Sequence, residues 1–190
     1  MSLRTQWLIA NLCRIMGKSA KHVLIRLAVA IIAATALAGG ARAEVSPEIR
    51  AYAERKCLAE ALYFESAAEG EPGMRAVAEV IFRRMRSPGY PGTVCKVVYQ
   101  GEFDEVCQFS FACDGARRRP RGRILWRQAW TLAGQYLADI SGVLSRDTTQ
   151  GATHFHTVDV NPGWDALGLE KTVTIGRHIF WRPKREAAPQ

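Results

Sequence analysis

Acidic side chains are absent from the first 43 of the chain's 190 residues, where every charge is basic: Arg4, Arg14, Lys18, Lys21, Arg26 and Arg42. A segment of that kind reads as a leader. It also lacks an apolar run of spanning length, since the uncharged stretch Leu27–Ala38 is about a dozen residues and a membrane helix needs roughly twenty. Small residues follow and end in Ala41-Arg42-Ala43, a pattern that signal peptidase accepts, so cleavage is predicted after Ala43. The alternative is an uncleaved anchor holding the protein at a membrane, which would bury Arg26. Removing the leader takes away six of the 26 Lys/Arg and none of the 18 Asp/Glu, leaving a net charge of +2. The remainder therefore lacks the basic excess that a nucleic-acid partner requires.

Cysteine is scarce, and no C-x2-C pair occurs. Of five cysteines, Cys13 falls in the leader, which leaves Cys57, Cys95, Cys107 and Cys113. An even count in an exported domain predicts two disulfides, of three possible connectivities. Cys107 with Cys113, closing a short loop, and hence Cys57 with Cys95, is the preferred one; a four-thiolate zinc site is the alternative. Also absent are H-x3-H and H-E-x2-H zinc signatures, a G-x-S-x-G elbow, internal repeats and low-complexity tracts. These absences weigh against helical zinc hydrolases and serine hydrolases. No cofactor is expected.

Residues 44–182 read as one domain and 183–190 as a frayed tail. The spacing predicts a helix over 46–64, with Ser46 as N-cap, Pro47 at its first position, and Ile49, Tyr52, Ala53, Cys57, Leu58, Ala61 and Leu62 on one face. Gly70-Glu71-Pro72-Gly73 then predicts a break, and Met74–Met85 a second helix forming a hairpin with the first. SPGYPGT at 87–93 is a turn before a short piece through Val94–Tyr99. Residues 124–140 predict another helix burying Leu125, Trp126, Ala129, Leu132, Ala133, Tyr136 and Leu137; the composition shifts after Ser141-Gly142. The alternating stretches 153–158, 172–175 and 178–181, with Gly176 between the last two, predict a small β-hairpin. The charge run Arg117–Arg123 reads as a solvated mobile loop, with attraction to an anionic wall polymer or phospholipid surface as the alternative.

Glu65 and Glu69 are four apart, and would share a face at the helix C-terminus, where the dipole disfavours charge. Glu65 also sits among Tyr63, Phe64, Ser66, Ala67 and Ala68, an apolar and small setting in which a carboxyl can keep its proton near neutrality. Two glutamates at this spacing are otherwise an ordinary solvated face. His154 and His156 are two apart on a predicted strand, so both rings project to one side, where they could hold a metal with Asp114 or His178, or simply line a cleft. Phe109, Phe111, Phe155, Trp164, Phe180 and Trp181 are core candidates, with one or two free to stack on sugar rings.

Six blocks in order, from Cys57-Leu58-Ala59 through Tyr63-Phe64-Glu65, then 73–81, 90–100, CQFSFACDG at 107–115, GATHFHT at 151–157 and TIGRHIFWR at 174–182, resemble the SleB-like cell-wall hydrolase family. The resemblance implies a mainly helical α+β fold with a lysozyme-like or transglycosylase-like core and the small C-terminal hairpin, acting on peptidoglycan glycan strands. The family's catalytic glutamate falls on Glu65 and its second glutamate on Glu69. Ala67 and Ala68 stand where the family usually has Arg-Gly, and Arg83 where it often has Asn.

The expected reaction is a lytic transglycosylation between N-acetylmuramic acid and N-acetylglucosamine, with Glu65 as general acid and base. Tyr63, Glu69, Gln108, Ser110, Asp114, His154 and His156 are the expected substrate contacts, with Asp114 and Glu69 also nominated as a second carboxylate. The protein is expected to be exported to the periplasm or cell envelope and to act as a monomer, with no metal. Two rivals are a catalytically silent wall-binding accessory and a metal-dependent wall amidase using His154 and His156.

Overall fold

The computed structural model describes residues 44–103, 106–119 and 121–184. The leader read over residues 1–43, with its cleavage point, and residues 185–190 of the expected tail lie outside the described residues. No described helix is long and apolar enough to cross a membrane.

Helix α1 runs Pro47–Ser66. Ser46 Oγ accepts from Ile49 N at 3.4 Å, and Pro47 gives up a donor that has no partner in a first turn. The apolar stripe is buried only from Cys57 onward: Ile49 and Tyr52 are exposed, and Tyr52 packs on Trp130 at 5.4 Å between ring centroids. The chain breaks earlier than the Gly70–Gly73 signal suggested. A 3-10 turn at Ala67–Glu69 separates the helices, and α2 already begins at Gly70 and runs to Met85. Gly70 takes φ +69°, a region a Cβ resists, so the turn is made there. Pro72 then falls in the first turn of α2, where its missing N–H costs no bond.

Helix α2 is buried on two sides. Met74, Val77, Ala78, Ile81 and Phe82 pack with Leu58, Ala61 and Leu62 of α1, while Ala76 and Val80 meet Ala152 and Phe180. Leu58, Leu62 and Phe82 are fully buried, each contributing roughly 1.5–3 kcal/mol. The short helix α3 (Val94–Val98) is tied to α1 by the Cys57–Cys95 disulfide, with Cα atoms 5.2 Å apart.

Helix α4 (Arg123–Ala138) packs on α1 through Ala129 and Ala133. At Gly134 a Cβ would come within 2.7 Å of Arg55 Cζ, whose guanidinium donates to Trp130 O. Leu125, expected inside, is exposed. A further helix, α5 (Ile140–Arg146), follows where the composition shift was read: Asp139 Oδ1 accepts from Gly142 N at 2.8 Å and starts it.

The β region has three strands instead of a hairpin alone: β1 (His154–Thr157), β2 (Leu169–Ile175) and β3 (His178–Pro183), antiparallel in the order β1-β3-β2. The β2–β3 hairpin turns at Gly176, and β1 adds to the other edge of β3, pairing Phe155 with Phe180 and His156 with Ile179. Alternation then puts Phe155, His178 and Phe180 on the face toward α2, and His154, His156 and Trp181 on the outer face. Strand β3 takes in Pro183, the first residue of the expected tail, and Lys184 N donates to Gly168 O at 2.9 Å just beyond it.

Polar side chains of α2 fix the approach to β1. Glu79 is fully buried; its Oε1 accepts from Thr148 N and Oγ1 at 3.2 and 2.7 Å, and its Oε2 from Thr149 N at 2.9 Å. Three donors make that burial tolerable. Arg84, also buried, donates from Nε to Thr153 O at 2.7 Å.

Candidate active site

Glu65 lies in the last turn of α1, half-buried. Among the described residues, no donor bonds its carboxylate and no cation pairs with it. Burial pushes its pKa from 4.5 up to about 7, and the negative charge of Asp114 adds to the rise. Of the two reasons read from the sequence, the cause is the apolar setting and not the helix dipole: a carboxyl withdrawn from water, with no counter-ion among the described residues, keeps its proton.

The CQFSFACDG segment brings Asp114 there. Cys107 and Cys113 form the second disulfide, with Cα atoms 6.3 Å apart, and close a loop around the 3-10 turn Ser110–Ala112. Asp114 N donates to Ser110 O at 3.0 Å, and Phe111 stacks on Phe64, the neighbour of Glu65, at 5.0 Å. Asp114 is itself exposed; Oδ1 accepts from Ala116 N at 2.7 Å, and Arg119 stands 3.5 Å from Oδ2. Gln108 and Ser110 sit exposed in the same loop.

Glu69 does not share the face of Glu65, because the helix ends between them. Its Oε1 accepts from Arg177 N at 3.0 Å and its Oε2 lies 3.0 Å from His178 Nδ1. A Cβ at Gly176 would come within 2.7 Å of the Glu69 carboxyl carbon, so the hairpin turn closes around this side chain. Tyr63 likewise spends its hydroxyl on the fold, accepting from Gly122 N at 2.8 Å.

His154 and His156 do share one side, the outer face of the sheet, where Trp164 packs edge-on against both at 5.4 and 5.2 Å. His154 is held between Thr153 Oγ1 at 2.9 Å and Tyr90 Oη at 3.4 Å, and burial, then the charge of Arg84, lowers its pKa to about 4. His156 Nδ1 donates to Thr157 O at 2.8 Å. The proposed third ligand, His178, is on the opposite face against Phe155, and Asp114 is engaged elsewhere, so neither joins the pair. Among the described residues no three His, Cys, Asp or Glu side chains gather as metal ligands.

Two features escaped the sequence reading. Glu60 is buried on α1 and bound by Lys56 at 3.0 Å, Arg121 at 2.7 Å and the Tyr99 hydroxyl. The signal was present: the helical period places this acid among Leu58, Ala61 and Leu62. The basic run is also no freely solvated loop. Arg117 pairs with Glu102 and lies 4.7 Å over the Tyr99 ring, while Arg121 joins Glu60 and Trp126.

A family model described as cell wall hydrolase matches residues 68–181, a range that opens just past Glu65 and runs through α2 into β3. No curated protein sequence matches significantly. Among solved structures, the crystal structure of the catalytic domain of the Bacillus cereus SleB protein is similar at 23% identity and a TM-score of 0.50, covering 76% of this chain and 99% of that one. The likeness shows the fold, a lysozyme-like α+β body with a small antiparallel sheet.

Proposed function

The chain belongs to the cell wall hydrolase family, and from there we propose that it cuts peptidoglycan glycan strands between N-acetylmuramic acid and N-acetylglucosamine, as a lytic transglycosylase with Glu65 as acid and base. One observation carries the reading: a half-buried carboxyl at the end of α1 with no partner among the described residues, whose pKa burial raises to about 7. Such a group is still substantially protonated near neutrality, yet ready to release its proton.

In the reaction Glu65 protonates the bridging oxygen as the muramic C1–O bond breaks, leaving an oxocarbenium-like centre and a Glu65 carboxylate. That carboxylate takes the proton of the muramic 6-hydroxyl, whose oxygen bonds to C1. The products are an N-acetylglucosamine 4-hydroxyl and a 1,6-anhydro ring, and Glu65 is again protonated. Gln108 and Ser110, exposed on the Asp114 loop, and His154 and His156 beside Trp164, are the proposed substrate contacts.

Asp114 favours a second outcome. Its charge is close enough to act on Glu65 and would stabilise the cationic sugar or activate water, giving hydrolysis. Glu69, committed to Arg177 and His178, does not fit that part. The envelope is the proposed place of action, and the two disulfides suit an oxidising compartment.

Mass spectrometry of fragments released from purified sacculi tests this. Anhydro-muramic ends support the transglycosylase, and reducing muramic ends support hydrolysis through Asp114. Release of free peptides, lost with a chelator, would instead indicate an amidase. Sacculus binding with no fragment at any pH, equal in Glu65→Gln, would indicate a silent accessory.

A further inference from the structure

We propose that the basic cleft beside Asp114 binds carboxylates of the peptide carried by the muramic acid residue at the cut bond. The inference rests on the peptidoglycan reading above and names the part of that substrate which the site selects. The cleft measures about 470 Å³ and is lined by Lys56, Arg117, Arg118 and Arg121 around Glu60. That volume suits a small-ligand site. Cys113 and Gly115, the sequence neighbours of Asp114, also line it, so the cleft adjoins the loop that stands next to Glu65.

The charges in the cleft do not balance. Glu60 is already shared by Lys56 and Arg121, and Glu102 answers Arg117. Among the described residues, four cations against these two acids leave a surplus of two positive charges. Arg118 makes no ion pair among the described residues, and its guanidinium lies over Gly115, where a Cβ would meet Nη2 at 3.2 Å. Arg121 Nε is buried and has no partner among the described residues. A planar guanidinium without an acid is suited to a carboxylate, which it can grip through two parallel bonds.

The substrate carries such groups on a chain that starts beside the cut bond. The peptide starts on the lactyl ether at C3 of muramic acid, on the same ring as the C1 whose bond is cut. The lactyl carboxyl itself is spent in the amide to the peptide, so the free carboxylates lie along the chain that leaves the ring there, and with C1 at Glu65 that chain would have to run past the Asp114 loop to bring them to the cleft. The site would therefore distinguish peptide-bearing glycan from stripped glycan.

The test compares initial rates of the full chain on sacculi and on the same glycan stripped of peptide by an amidase. Wild type should prefer the peptide-bearing glycan, and in Arg118→Glu the ratio of the two rates should fall about tenfold, with a smaller fall in Arg118→Ala. Calorimetry with the free stem peptide gives a second readout: binding to wild type, weakened about tenfold in Arg118→Glu and absent for peptide with amidated carboxylates. An unchanged ratio or unchanged peptide binding overturns the proposal. Should wild type cut neither glycan, the glycan-cutting reading fails, and the calorimetric result still decides this one.

Discussion

Replacing Glu65 by Gln should stop turnover and yet stabilise the protein at alkaline pH. The unfolded carboxyl ionises near 4.5 and the folded one near 7. Between those values the native state keeps a proton that the unfolded state has released, so the unfolded state binds fewer protons and stability falls as pH rises. The wild type therefore loses stability from about pH 4.5 to about pH 7, with no further loss from this group above that. The gap of about 2.5 pH units, at about 1.36 kcal/mol each, sets a ceiling of roughly 3 kcal/mol. Partial contact with solvent puts the expected effect at roughly 1.5–3 kcal/mol.

Glutamine keeps the shape and has no proton to lose. Its stability advantage over wild type should rise from near zero at about pH 4 to that value at about pH 8. Urea unfolding of both proteins across the range measures it, and the other titrating groups cancel in the difference. A difference that stays flat, or falls as pH rises, refutes the account of Glu65 as a carboxyl kept neutral by burial.

Asp114→Asn removes the charge that raises Glu65, so the alkaline limb of kcat/KM on sacculi should move to lower pH, by less than half of the 2.5-unit rise because burial is the larger cause; a limb that stays put counts against the pairing. Replacing Cys107 and Cys113 by Ala frees the loop that carries Asp114; we expect a loss of about 2 kcal/mol by thermal melting, and an alkaline limb displaced like that of Asp114→Asn. Glu69→Ala strands Arg177 N and His178 Nδ1, and should cost about 2 kcal/mol in urea unfolding while the pH of the alkaline limb stays where it was.

Local signals made much of this legible. The Ser46 cap, the Cys57–Leu62 stripe, the Gly176 turn and the short Cys107–Cys113 loop each depend on residues near one another in sequence, and each took its expected form. Glu65 stood out by its apolar neighbours and by the family motif. Where two residues meet across the chain, the sequence was silent. Glu69 looked like a partner of Glu65, but its bonds reach Arg177 and His178, 108 and 109 residues away. The pairing of β1 with β3 depends on a neighbour chosen by the whole fold, and Arg117 and Arg121 looked solvated because Glu102 and Glu60 lie 15 and 61 residues off. The α1–α2 break was misplaced for a local reason: glycine at +69° ends one element, and proline two residues later is at home in the start of the next.

Helix α2 has almost no free side: from Ala76 to Phe82 every residue is buried, some against α1 and some under the sheet. A rod that serves as the wall of two rooms cannot be removed from one alone. The body carrying Glu65 and the strands carrying the histidines should consequently melt together in a single transition, and a methyl group lost at Val80 should be felt on both sides of the partition.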